Sequence, residues 1–307
     1  MNRCTICALA LTLSLHCACK HESIQADPAR AVDAGVPTGG MLDGAASEGG
    51  DASELVPADA AATCPSNLPG PQMALVASPK GTRYCIDTTE VTQVQYDTFV
   101  HEAGTDLSLV AAIPECASHK SYEIVDRPDD DPIAPGCPKG VYAPATKGDL
   151  PVGCTTWCMA YAYCRWAGKR LCGRIGGGPL ADPVADFKNA EASQWYNACS
   201  QGGKYTYPYG NTYKPQCASA TLDPVTDVNP ECAGKGEGFE SVSGMTFGVM
   251  EWEDDCHAEQ GLDCRLRGAD YLDTEFGESQ SRCDVGGVTS RGVTDPQVGF
   301  RCCLDVD

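Results

Sequence analysis

Apolar positions fall into three textures along the chain. An apolar run from Thr5 to Leu15 follows a single charge, Arg3. A bilayer crossing takes about 20 apolar residues, so this run is too short to span and has the length of a removable secretory leader. From residue 20 to about 62 large apolar residues almost vanish, and Ala, Gly, Asp, Glu, Ser and Pro take over. Such a stretch buries too little surface to offset the entropy of ordering it, and it reads as a disordered acidic tether. From Cys64 onward apolar residues return in periodic patches. Residues 83–91, "RYCIDTTEV", read as a strand. Residues 91–104 read as a helix with Tyr96, Phe99, Val100 and Ala103 on one face. Thr92 and Gln95 form its capping box, Val91 and Tyr96 its staple, and Gly104 its end. Residues 155–171 predict a second helix, capped at Thr155 or Thr156, stopped at Gly168 and apolar nearly all round, hence buried. Residues 190–203 predict a third, ending at Gly202. The rest reads as loops, turns and short strands, in keeping with 33 Gly and 21 Pro. No repeat appears. The organisation is a leader (1–19), a tether (20–62) and one domain (63–307).

Cysteine sharpens this picture. There are 20. Cys4, Cys7, Cys17 and Cys19 lie in the first 19 residues, and the other sixteen run from Cys64 to Cys303. Their spacing is irregular, and the close pairs Cys154/Cys158 and Cys302/Cys303 do not make a zinc set. Disulfides, and therefore folding outside the cytoplasm, are the reading. The leader resembles that of a bacterial lipoprotein with Cys19 as the lipidated residue, which leaves sixteen cysteines able to pair. The chain then touches the membrane through its lipid anchor only. The alternative is an ordinary leader and a soluble periplasmic or secreted product. The formal net charge of −20 argues against nucleic acid as a partner, since that needs a basic surface.

Five segments in order carry a family resemblance: "YCIDTTEVTQVQYDTFV", "AYCRWAGKRL", "SQWYNACSQGG" with "YPYGN", "GVMEW", and "RLRGADY" with "GFRC". Over roughly residues 72–303 the chain resembles the formylglycine-generating (sulfatase-modifying factor) enzyme domain. The resemblance implies an α+β, C-type-lectin-like fold with little regular secondary structure, two or more short antiparallel sheets and a disulfide-rich core. It also implies two crosslinks, Cys164–Cys302 and Cys199–Cys283.

Catalytic members of that family hold copper on two cysteines of the segment before "GFRC". Counting back from Cys302, those places fall on Asp273 and Glu278, the family serine on Asp270 and a family glycine on Ala269. Carboxylates are hard ligands and do not hold Cu(I), nor can they form disulfide intermediates. Copper and formylglycine generation are therefore not supported. The resemblance also implies calcium at Phe247, Val249 and Glu251, weakened because Gly244 stands at an Asp/Asn position, while a second calcium site meets Ala218. The histidines, His16, His21, His101, His119 and His257, lack the HxxxH spacing of an iron-using branch. The function expected is a non-catalytic, envelope-anchored binding module. Its ligand would be cationic or polyhydroxyl and would meet an acidic, loop-rich face around Asp270 to Cys283. The alternative is an oxidoreductase of the same superfamily acting through other residues.

Overall fold

The computed structural model describes residues 63–306, apart from 129–135, 219–220, 228, 257–262 and 272–276. These residues belong to the compact unit 57–307. Strands β1 (Met73–Ala77) and β2 (Arg83–Asp87) form an antiparallel hairpin. Its turn is closed by Ser78 N–H to Thr82 O (2.8 Å), with Gly81 at φ +88°. The C-terminal strand β8 (Cys302–Asp305) lies against β2, and the two-residue β3 (Arg170–Leu171) completes the order β1-β2-β8-β3. The second sheet runs β6 (Gly286–Ser290), β5 (Asp263–Arg267), β4 (Met250–Cys256), β7 (Val298–Gly299). β4 and β7 are parallel, so this sheet is mixed where antiparallel sheets alone were expected. A two-residue β7 makes this possible, because it reaches β4 through a long excursion and not through a hairpin.

Helix α1 (Gln93–Ala103) starts at the box its sequence announces. Thr92 Oγ1 accepts from Gln95 N–H and Gln95 Oε1 accepts from Thr92 N–H (3.0 Å). Tyr96 and Phe99 are wholly buried, and Gly104 is its C-cap. A one-turn α2 (Pro144–Lys147) packs beside it. Helix α3 (Trp157–Trp166) is capped by Thr156 and buries seven of its ten residues. Helix α4 (Gln194–Ser200) begins four residues after the predicted start. Ser193 caps it, and a tight turn, Ala192 and Ser193 N–H to Asn189 O, takes up the approach. Gln201, not a glycine, adopts the left-handed C-terminal conformation. The predicted strand 83–91 stops at Asp87. Beyond it the chain turns, Thr88 bonding back to Gln72 and Val91 across to Phe300.

A short α5 (Gly277–Gln280) follows β5. One core joins α1, α3 and the β4–β5 pair, and a second lies between the first sheet and α4. The architecture is α+β, loop-rich and C-type-lectin-like. Crosslinks supply much of what regular structure does not. All sixteen cysteines from Cys64 on are paired: Cys64–Cys85, Cys116–Cys158, Cys137–Cys154, Cys164–Cys302, Cys172–Cys303, Cys199–Cys283, Cys217–Cys232 and Cys256–Cys264. Successive strand residues face opposite sides. Adjacent Cys302 and Cys303 therefore clamp β8 to α3 on one side and to the segment after β3 on the other. Eight disulfides accord with an extracytoplasmic location. Among the described residues no helix is long and apolar enough to cross a membrane.

Candidate functional site

The middle of the molecule is charged. Arg301, just ahead of β8, reaches Glu251 in β4 with a paired contact, Nε to Oε2 (2.7 Å) and Nη2 to Oε1 (2.8 Å). Trp195 of α4 donates its indole N–H to the same Oε2 (2.9 Å). Arg301 also donates to the carbonyls of Asp87 and Ser243. A second arginine, Arg267 in β5, grips Glu253 (2.7 and 3.0 Å) and the hydroxyl of Ser193, and stacks on Phe187 (3.7 Å). Lys169 and Asp87 form a third pair (2.6 Å), both side chains fully buried. Asp87 also accepts from the Cys302 N–H. Burial nonetheless pushes the Asp87 carboxyl up to about 6, against the pull of Lys169. Buried pairs with their remaining donors satisfied are an ordered scaffold whose partners are costly to remove singly.

Glu90, at the turn into α1, is the exception. It is 3 % exposed, and its nearest cation, Arg301, stands 3.7 Å away with its stronger bonds committed to Glu251. Burial pushes its carboxyl up to about 8, opposed by Arg301 and assisted by Glu251. Its oxygens lie between Gly244 (φ +66°) and Gly248 (φ +120°), where an added Cβ on either would collide with them. Glu90 borders an open pocket of about 180 Å³, walled by 244–248 on one side and, on the other, by described residues between Gln216 and Cys232. The second wall is tied by Cys217–Cys232 and carries Asp223, Asp227 and Asn229.

Of the residues singled out from sequence, Gly244 and Phe247 line this pocket. Phe247 and Val249 sit on its inner loop, both buried. The backbone of Val249 helps to hold the Glu90 carboxyl down against the rise from burial. Both Glu251 oxygens carry protein donors, so a calcium shell of six to eight oxygens would have to displace Arg301 or Trp195. Gly244 supplies no side-chain oxygen. Asp270 is buried and accepts from Gln297 Nε2 (2.7 Å). Its neighbour Tyr271 donates its N–H to Gly248 O (3.1 Å), joining the acidic loop to the pocket wall. Ala269 is buried. Glu278 is exposed on α5, and its carbonyl accepts from the Tyr207 hydroxyl. Asp273 lies outside the described residues, as do Cys19, His16, His21 and His257. His101 is exposed at the end of α1, and His119 is 3.4 Å from Thr156 Oγ1, so these two stand apart from the pocket. The residues at the copper positions offer oxygen to a metal that prefers sulfur. Every cysteine of the domain is already in a disulfide, so the donor set does not fit copper. Glu90 stands inside the first family motif, and no local pattern sets it apart from other acidic residues before a helix. The matching "PQC" and "PEC" at 215–217 and 230–232, each a turn of 3-10 helix, were the signal for the pocket's outer wall.

The family model of the sulfatase-modifying factor enzyme 1-like domain matches residues 77–306. Among curated proteins the chain is similar to inactive C-alpha-formylglycine-generating enzyme 2 of Mus musculus, 28% identical over 171 residues, covering 51% of this chain and 49% of the relative. The Bos taurus protein of the same name is also 28% identical over 171 residues, covering 51% and 50%. The chain thus spans about half the length of the curated relatives it matches. Among solved structures it is similar to PvdO from Pseudomonas aeruginosa, with a TM-score of 0.47 and 15% identity over 80% of this chain and 100% of that one. The family match covers most of the domain, and its span takes in β2, all three buried charged pairs of the centre and the disulfide-linked C-terminal strand: the chain belongs to the sulfatase-modifying factor enzyme 1-like domain family.

Proposed function

We propose that this chain is a non-catalytic binding module of the cell envelope that uses the family scaffold to present an acidic, loop-rich face to a cationic or polyhydroxyl ligand. One observation carries this reading: the sixteen cysteines of the domain are consumed in eight disulfides. Copper-thiol oxidation needs thiolates that can bind metal and exchange with substrate, and none is left to do so. Two relatives carry the word "inactive" in their names, which supports the same reading. Function on such a scaffold resides in the site and not in the fold. Lipid on Cys19 and the tether 20–62 would hold the domain off a membrane, with more than one acyl chain for a lasting anchor.

The experiment has two arms. Protein made in an oxidising compartment is incubated with copper and a cysteine-containing peptide while oxygen is followed. It is then melted with glycans, cell-wall fragments and basic peptides. The reading expects no oxygen uptake and a thermal shift with one ligand class. Copper-dependent uptake, or silence from all three ligand classes, contradicts it. Replacing Cys19 by Ser should release the chain from the membrane fraction, and retention there contradicts the lipid anchor.

A further inference from the structure

We propose that Cys217–Cys232 is a site of thiol–disulfide exchange: a dithiol reaches it from the open pocket, and its opening releases the pocket's outer wall. This goes beyond the binding-module reading and does not depend on it. Exposure sets this crosslink apart. Each of the other seven has at least one cysteine that is 1 % exposed or less, Cys85, Cys264 and Cys283 among them. Cys217 and Cys232 are both half-buried, and both line the pocket. Exchange needs a thiolate to reach one sulfur and the other sulfur to leave as a thiolate. Of the eight crosslinks this one alone offers two sulfurs outside the buried core.

What the crosslink holds has little else to hold it. None of the described residues from 217 to 232 is buried, so no side chain there is anchored in either core. The single turns at its ends are closed locally, Cys217 N–H to Lys214 O (2.9 Å) and Cys232 N–H to Asn229 O (2.8 Å). Val225 N–H to Asp149 O (3.0 Å) ties its middle to the segment before Pro151. A segment with few buried contacts opens at small cost, so the covalent tie is what fixes this wall. The opposite wall, 244–248, buries Met245 and Phe247 and keeps its place.

The exchange balances in two steps. A thiolate of the dithiol attacks the sulfur of Cys217 or Cys232. A mixed disulfide forms as the Cys217–Cys232 bond breaks, and the departing thiolate takes up a proton. The second thiol of the dithiol gives up its proton and attacks the mixed disulfide. The dithiol leaves as a disulfide, two cysteine thiols remain, and two electrons have passed to the crosslink.

The test is reduction of the folded full chain with dithiothreitol and, separately, with reduced thioredoxin, quenched by alkylation and read by peptide mass mapping. Cys217 and Cys232 should be alkylated at least about tenfold sooner than any other cysteine from Cys64 on, since access to sulfur governs the rate. Amide hydrogen exchange of the same samples should quicken in 221–227 and stay unchanged in β2 and β8. Cys217→Ser with Cys232→Ser should show the quickened exchange with no reductant present. Reaction with thioredoxin as well as dithiothreitol assigns a protein dithiol as the reductant, and reaction with dithiothreitol alone assigns a small one. Another crosslink opening before this one, or together with it, overturns the inference. Unchanged exchange in 221–227 after the pair is reduced overturns it too.

Discussion

Asp254 shows how burial reads out as pH dependence. It sits in β4 beside Glu253 and Asp255, and burial pushes its carboxyl up to about 6 from an ordinary 3.8, with Arg170 and Arg291 pulling the other way and the two acids adding to the rise. The folded state therefore holds this proton more tightly than the unfolded chain does. Its contribution to stability is full below about pH 4 and is lost as pH rises through about 6. Asp254→Asn should remove that slope: between pH 4 and 6 the urea midpoint of the variant should gain steadily on the parent, and a constant difference would contradict the assignment. Arg301 makes the complementary case. Arg301→Met strands Glu251 in the interior and should cost about 3–5 kcal/mol in a denaturant titration. A loss below about 1 kcal/mol would contradict that cost. At this scale the sequence was only half legible. The letters of "GFRC" and "GVMEW" were readable, but the bonding of Arg301 to Glu251 joins residues fifty apart, and no local pattern announces it. Glu90 looked like any acidic residue before a helix until Gly244 and Gly248 closed on it.

At the scale of elements, local signals succeeded where the backbone's own bonds decide the outcome. Thr92 and Gln95 close the start of α1 with side chains only three residues apart, so the cap could be read directly. Thr92→Ala should cost about 1 kcal/mol of stability, measured by chemical denaturation. An effect within error would show that tertiary contacts alone set the helix start. Where elements depend on distant partners, the signals failed. The strand predicted for 83–91 ends at Asp87, where the side chain turns to Lys169 and to the N–H of Cys302. The third helix starts late because Ser193 is held by Arg267 and Glu253, neither of them near in sequence. The parallel pairing of β4 with β7 is likewise invisible to periodicity, which reports faces and not neighbours.

For the whole molecule, crosslinks replace much of the regular framework, and their value depends on the loops they close. Cys164–Cys302 spans 138 residues and Cys256–Cys264 spans 8. Chain entropy alone makes the first worth about 5 kcal/mol and the second about 2.5 kcal/mol. Replacing both members of each pair by Ala should reproduce that order in urea midpoints, and the reverse order would place the stabilisation in the folded state instead. The same crosslinks decide the chemistry. The central claim is that the scaffold retains no thiol with which to hold copper. The direct measurement is alkylation of the unreduced, unfolded chain followed by peptide mass mapping. The account predicts eight crosslinks and no alkylated cysteine from Cys64 to Cys303. Two alkylated cysteines in that range, protected when copper is added before unfolding, would contradict it.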